Sequence, residues 1–281
     1  MIGGSMKVFE MHYYGTYYYA SVVQNVLGNL DFLGAISPFF WDGRELDFIS
    51  PFPKQTYLHQ FIWFVLDKLM DEQFSEFELR DMERLEAFPI EKPLNIYKIE
   101  HTSSQDFLKE KEIALEGLSD DNWEILKESY QEYILESPGY WGLIEKLTED
   151  VFYVLFLNRE FLKTFNLTLA DSIKRIEDLI DDFDESEYEG LLTEKFKVKR
   201  KHIPQWVKKA VFFRDRGRCV FCNKDLSGLL TLNNSKNYDH IVPLNQYGVN
   251  DITNIQLSCE SCNKSKSGNS ITSSKLYEKW F

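Results

Sequence analysis

Two C-x-x-C pairs, Cys219/Cys222 and Cys259/Cys262, hold all 4 cysteines of this 281-residue chain. Two residues between paired ligands let a tight turn aim both sulfurs at one ion. Two such pairs supply the four thiolates of a tetrahedral zinc. Turn-forming sequence surrounds both: Arg216-Gly217-Arg218 precedes the first, and Ser261 and Asn263 flank Cys262. Four thiolates close the coordination shell and leave no position for substrate. The expected Zn2+ is therefore structural, joining the ends of a small segment with little core of its own. Secreted, disulfide-stabilised chains rarely pair their cysteines this way, so a reducing compartment is the better match. Met1 to Met6 show no basic stretch followed by an apolar run, so no secretory leader is expected, and they read as a cloning remnant before a start at Met6. The most apolar stretch, Val151 to Leu157, is too short to span a bilayer. A cytoplasmic protein without a membrane partner is the expectation.

Charge divides the chain where the cysteines begin to matter. Residues 195–281 carry 16 Lys+Arg against 6 Asp+Glu, a balance of +10, while residues 1–194 carry 16 against 39, a balance of −23, giving the overall −13. A basic end gains free energy on phosphate contact through counterion release, so the asymmetry points to a nucleic-acid-binding end and an acidic end. The sign reverses at Lys195-Phe196-Lys197-Val198-Lys199-Arg200-Lys201. This run is the expected linker, dividing an acidic, mainly helical domain (1–194) from a basic one (195–281). Beside a catalytic segment it also reads as a phosphate contact.

The acidic part has helical periodicity. Leu58, Phe61, Ile62, Val65 and Leu66 recur at three- and four-residue spacings. A second helix is expected from a cap at Asp120, with Leu126, Tyr130, Tyr133 and Ile134 on one face and Pro138-Gly139 ending it. A third covers about 141–157 and a fourth about 169–183, the latter carrying Leu169, Ile173, Ile176 and Ile180 before the acidic run Asp181 to Glu187. Aromatics crowd Tyr13, Tyr14, Tyr17, Tyr18 and Tyr19, and again Phe39, Phe40 and Trp41. Such clusters stack on bases or fill cores and interfaces; the surrounding acidity favours the core.

The basic end carries the chemistry. Between the cysteine pairs lie Asp239-His240-Ile241-Val242-Pro243-Leu244 and Thr253-Asn254-Ile255-Gln256-Leu257, and the second pair continues into Asn263-Lys264-Ser265-Lys266-Ser267-Gly268. Phosphodiester hydrolysis needs an activated water, a Lewis acid on the phosphate and positive charge around the developing anion. Histidine takes a proton near neutral pH, Asp and Asn offer hard oxygens suited to Mg2+ or Mn2+, and lysines hold phosphate.

With these motifs, residues from about Ile203 to Gly268 resemble the HNH endonuclease family in its four-cysteine subtype. The lead-in Ile203-Pro204-Gln205-Trp206-Val207 and Val211 to Cys219 resembles it too. The resemblance implies a ββα-metal domain, and hence an α+β chain with a mainly α-helical N-terminal part. It implies a metal-dependent enzyme that cuts DNA, with RNA cleavage or a non-catalytic zinc-ribbon module as alternatives. It implies His240 as general base, Asn254 as the residue that holds the His-bearing loop and orients the imidazole, and Asp239 and Asn263 as ligands of a catalytic Mg2+ or Mn2+. Because neighbours on a strand point to opposite faces, using both Asp239 and His240 calls for an irregular turn there. Lys208, Lys209, Arg214, Arg216, Lys264 and Lys266 are the expected nucleic-acid contacts. For the acidic part, the expected roles are dimerisation, or docking of a protein partner such as an ATPase or sensor subunit. By analogy, chains with an HNH end and an unrelated helical front work in bacterial anti-phage or restriction systems. Charge alone adds one more expectation: the acidic helix ending near Glu189 folds onto the basic face and competes with DNA.

Overall fold

The structure, a computed structural model, describes residues 15–85, 87–115, 118–228, 235–268 and 270–273. Residues 1–6, His12, Tyr13 and Tyr14 lie outside the described residues. The helices are α1 (Thr16–Gly28), α2 (Leu33–Phe40), α3 (Tyr57–Ser75), α4 (Leu79–Leu85), α5 (Glu91–Ile96), α6 (Ser104–Glu110), α7 (Asp120–Leu135), α8 (Pro138–Phe156), α9 (Arg159–Leu179), α10 (Glu185–Tyr188), α11 (Gln205–Arg214) and α12 (Glu260–Lys266). Strands β1 (Tyr238–His240) and β2 (Ile255–Leu257) pair antiparallel, with Asp239 opposite Gln256 and His240 opposite Ile255. The chain is thus α+β, with β1, β2 and α12 in the order the motif implied. No helix among the described residues is long and apolar enough to cross a membrane.

Two compact units form, and they do not follow the charge reversal. One comprises residues 1–20 and 62–151, the other 21–61 and 152–281. In the first, α7 buries Trp123, Leu126, Tyr130 and Ile134, the helical spacing of its apolar face. Its cap is Ser119, whose side chain accepts from the Asn122 amide, one residue before the expected Asp120. Phe88 stacks on Trp123 at 5.9 Å and on Tyr130 at 4.8 Å, building an aromatic core. Pro138 opens α8 rather than merely ending α7, because the first helical position needs no amide donor.

In the second unit, α9 begins ten residues before the expected start at 169, capped by Asn158, whose side chain accepts from the Phe161 amide at 3.1 Å. Its stripe of Phe161, Leu162, Phe165, Leu169, Ile173 and Ile176 is buried. Phe39, Phe40, Phe48, Phe61 and Phe165 form one cluster, with Phe40 and Phe61 centroids 5.2 Å apart. The aromatics at 39–40 are therefore core. α9 also holds the 252–254 turn, through Asn166 Nδ2 donating to Thr253 Oγ1 at 3.3 Å. α9 ends at Leu179, and the acidic run beyond it folds into a turn and the short helix α10, neither with a buried residue.

The basic run at 195–201 starts as a hairpin rather than an extended linker. Leu192 and Val198 bridge antiparallel, and the Thr193 amide donates to Lys197 O at 2.8 Å. Phe196, at φ 51°, supplies the left-handed residue that closes the turn.

Candidate active site and metal centre

Local sequence folds each cysteine pair into a knuckle. After α11, Arg216 and Gly217 turn the chain at φ 55° and 61°. Gly217 is also required by space: a Cβ there would lie 2.9 Å from Phe212 Cζ. The Cys219 amide then donates to Lys224 O at 2.9 Å, and the Asn223 amide returns to Cys219 O at 2.9 Å. The Val220 amide donates to Leu257 O at 2.9 Å, tying this knuckle to β2 and so to the second pair. Cys259 caps α12 and Cys262 lies in its first turn.

The result is a cluster: the four sulfurs lie within 4.8 Å of one another, and Cys222 Sγ is 3.7 Å from Cys259 Sγ. The thiols are unpaired by disulfides. A tetrahedron with Zn–S arms of about 2.3 Å has edges of about 3.8 Å, so the spacing fits zinc. Burial pushes the Cys262 thiol up, and the Cys259 and Cys222 sulfurs beside it add to the shift. A divalent cation relieves that crowding by stabilising the thiolates. Among the described residues, these four form the cluster able to hold a metal through three or more His, Cys, Asp or Glu side chains.

The loop between β1 and β2 is locked by one side chain. Asn254, fully buried, accepts from the Val242 amide at 2.8 Å through Oδ1. Its Nδ2 donates to Val242 O and Val249 O, each at 2.9 Å. Gly248 packs so closely under this loop that a Cβ would lie 2.0 Å from Val242 O. Asp251 fixes the other side: Oδ1 accepts from the Thr253 amide and hydroxyl at 2.8 and 2.7 Å, and Oδ2 from the Tyr57 amide at 3.3 Å. Asn254 thus ties the main chain at Val242 to that at Val249.

Asp239 and His240 are successive residues of a paired strand, so their side chains leave opposite faces and no irregular turn intervenes. Asp239 Oδ2 accepts from Lys266 Nζ at 2.8 Å and Gln256 Nε2 at 3.0 Å. Lys266 Nζ also donates to His240 O. His240 is 2% exposed, with the Asn250 side chain beside its ring. Burial pushes its pKa down to about 3, helped by Arg200 and Lys266, while Asn250 opposes the shift. The imidazole is therefore neutral at ordinary pH, the form that accepts a proton.

Asn263 Nδ2 donates to Lys236 O at 2.9 Å, so Oδ1 is the atom this side chain offers to a cation. Asp239 and Asn263 each carry hard oxygens, the donor type of Mg2+ or Mn2+.

Three of the expected nucleic-acid contacts are buried. Arg214 Nε and one terminal nitrogen meet both oxygens of Asp215 at 2.9 and 3.0 Å, and the guanidinium also donates to Ile255 O at 2.6 Å. Lys208 is buried with its ammonium 6.0 Å from the Tyr238 ring centre. Lys266 is engaged by Asp239 as described. A basic residue on a small domain reads as a phosphate contact from sequence, yet its stem also covers apolar surface and its head serves internal acceptors. Lys209, Arg216 and Lys264 are exposed; Lys264 pairs with Glu260 at 2.8 Å.

Sequence reasoning missed Asp215, which accepts from Arg214 and from the Leu257 amide at 2.8 Å. It also missed Asn250, Asp251 and Gln256. The only signal was local: Asn250-Asp251 sits three residues before Thr253-Asn254, a spacing typical of Asx turns.

Residues 219–268 match the protein-family model described as HNH endonuclease. Neither the curated proteins nor the solved structures contain a match to the chain.

Proposed function

We propose that the 219–268 segment makes this protein a metal-dependent endonuclease that hydrolyses phosphodiester bonds in DNA. The carrying observation is the β1–β2–α12 order closed by four clustered sulfurs, with Asp239 and His240 on the strand between the knuckles. In this mechanism a ring nitrogen of His240 takes a proton from water aligned with the scissile phosphate. Asn254 fixes the loop that follows the ring. Lys266 lends positive charge beside Asp239. A Mg2+ or Mn2+ on Asp239 and Asn263 would neutralise charge on the leaving oxygen. Zn2+ on the cysteines holds the scaffold.

The ammonium of Lys266 on Asp239 and the burial of His240 favour a second reading, a zinc-held nucleic-acid-binding module without catalysis. Plasmid digestion with Mg2+ or Mn2+, wild type beside His240→Ala, with zinc measured in both, separates the two. Cutting by the wild type alone at equal zinc supports the nuclease. Absence of cutting by zinc-loaded wild type, with DNA binding retained, supports the module.

A further inference from the structure

Where the 193–200 hairpin meets the family-matched segment, a groove of about 950 Å³ lies between that hairpin and the loop after His240. Lys195, Lys197, Lys199 and Arg200 line it against a single acid, Glu194, with Pro243, Leu244 and Asn245 opposite. Lys195, Lys199 and Arg200 are exposed. Lys197 is committed to structure: its ammonium donates to Asn245 O at 2.6 Å and lies 4.8 Å over the Tyr247 ring. A second tie crosses the same gap, from Asn250 Nδ2 to Lys199 O at 2.8 Å. The hairpin is therefore fastened at two points to the loop that joins His240 to Asn254. Its free cations keep a fixed position relative to the site.

We infer that this groove is a binding site for the DNA sugar-phosphate backbone, with Lys195, Lys199 and Arg200 as its phosphate contacts. Several cations with one acid, on a surface trough that leads from the active-site loop, suit a polyanion with evenly spaced charges. Rigid attachment places the phosphate track in register with the scissile bond, which is how backbone contacts orient a nuclease without reading sequence. The inference rests on the nuclease reading for its purpose, though not for the binding itself.

The test uses the full chain and a fluorescein-labelled DNA duplex, with anisotropy titrations from about 50 to 200 mM salt. Wild type is compared with Lys195→Ala/Lys199→Ala and with Lys109→Ala/Lys146→Ala, a matched loss of charge outside the groove. Each lost phosphate contact lowers the log–log salt slope by about 0.9. The groove variant should therefore lose about 1.8 from its slope, so its affinity falls about 12-fold less than wild type's over that range. It should also raise KM in plasmid cleavage while leaving kcat unchanged; the control pair should change neither slope nor KM. An unchanged slope in the groove variant, equal slopes in both variants, or no binding by wild type overturns the groove. If wild type binds with the expected slope change but never cuts with Mg2+ or Mn2+, the nuclease reading falls and the groove stands.

Discussion

Replacing Asn254 by Ala tests whether this residue acts by pinning the loop or by touching substrate. Three hydrogen bonds vanish at once: the Val242 amide loses its acceptor, and Val242 O and Val249 O lose their donor. Val242 and Val249 are both 0% exposed, so the surface does not offer replacements. An orphaned buried group costs about 1–3 kcal/mol, and the small cavity left by the lost amide admits at most a water to serve one of the three. The expected cost is about 3–5 kcal/mol, a large share of the roughly 5–15 kcal/mol that holds a domain together. Asn254→Asp should be at least as damaging, because it keeps the acceptor for Val242 but sets a carboxylate oxygen against two carbonyls. Urea unfolding followed by tryptophan fluorescence reads the loss as a lower midpoint at unchanged slope. A cost below about 1 kcal/mol together with abolished cleavage would refute the pinning argument and make Asn254 a substrate contact.

Four further outcomes are expected. Cys259→Ser should reduce bound zinc from about one per chain, read by elemental analysis, and lower the thermal midpoint, because the cluster joins both ends of the segment. Gly248→Ala should destabilise at least as much as loss of a core side chain, since its Cβ would meet backbone at 2.0 Å; wild-type melting would contradict the geometry. His59 closes a capping box at the start of α3: its Nδ1 accepts from the Thr56 hydroxyl at 2.7 Å and its amide donates back to Thr56 Oγ1 at 3.2 Å. Burial lowers its pKa from 6.5 to about 4, so the unfolded chain binds the proton first; the stability is present above pH 6.5 and lost as pH falls towards 4, by at most about 3 kcal/mol, and His59→Phe should flatten that slope in pH-dependent urea titrations. Asp215→Ala should cost about 3–5 kcal/mol by stranding the buried Arg214 guanidinium, whereas Arg216→Ala, on the surface, should stay near wild type in the same unfolding assay.

What the sequence made legible was whatever short-range pattern controls. Cysteine spacing announced the metal cluster, and the periodicities around Leu58, Leu126 and Ile173 announced helices. The start of α9 was missed because Arg159 to Thr168 mixes charged, polar and apolar residues. Only the Asn158 cap and the packing of Phe161 and Phe165 define that stretch. The fates of Lys208, Arg214 and Lys266 were illegible for a different reason. A cation's role depends on acceptors brought from far along the chain, such as Ile255 O for Arg214 and Asp239 for Lys266. Charge counting assigned all of them to phosphate; the fold spends three on its own interior.

The family-matched segment leans on residues far from it in sequence. Its loop is held from outside: Tyr57 donates to Asp251, the Phe52 amide donates to Asn250 O at 2.7 Å, and Asn166 reaches Thr253. Arg159 adds a contact to Asp215 at 3.3 Å, and the Phe156 ring lies 4.9 Å from the Arg214 guanidinium. These partners come from residues 21–61 and 152–179, which the charge map places in the acidic part. Removing them strands Asp251, a carboxyl whose burial already raises its pKa, with one fewer donor. The charge reversal at 195 therefore divides surfaces, and the compact unit that carries His240 divides by packing, starting near residue 21 and resuming near 152. Because the His240-bearing loop is fastened to segments so distant in sequence, its geometry is coupled to the folding of those segments. Loosening α9 or the 50–57 stretch would release the turn at 251–253 that leads into Asn254.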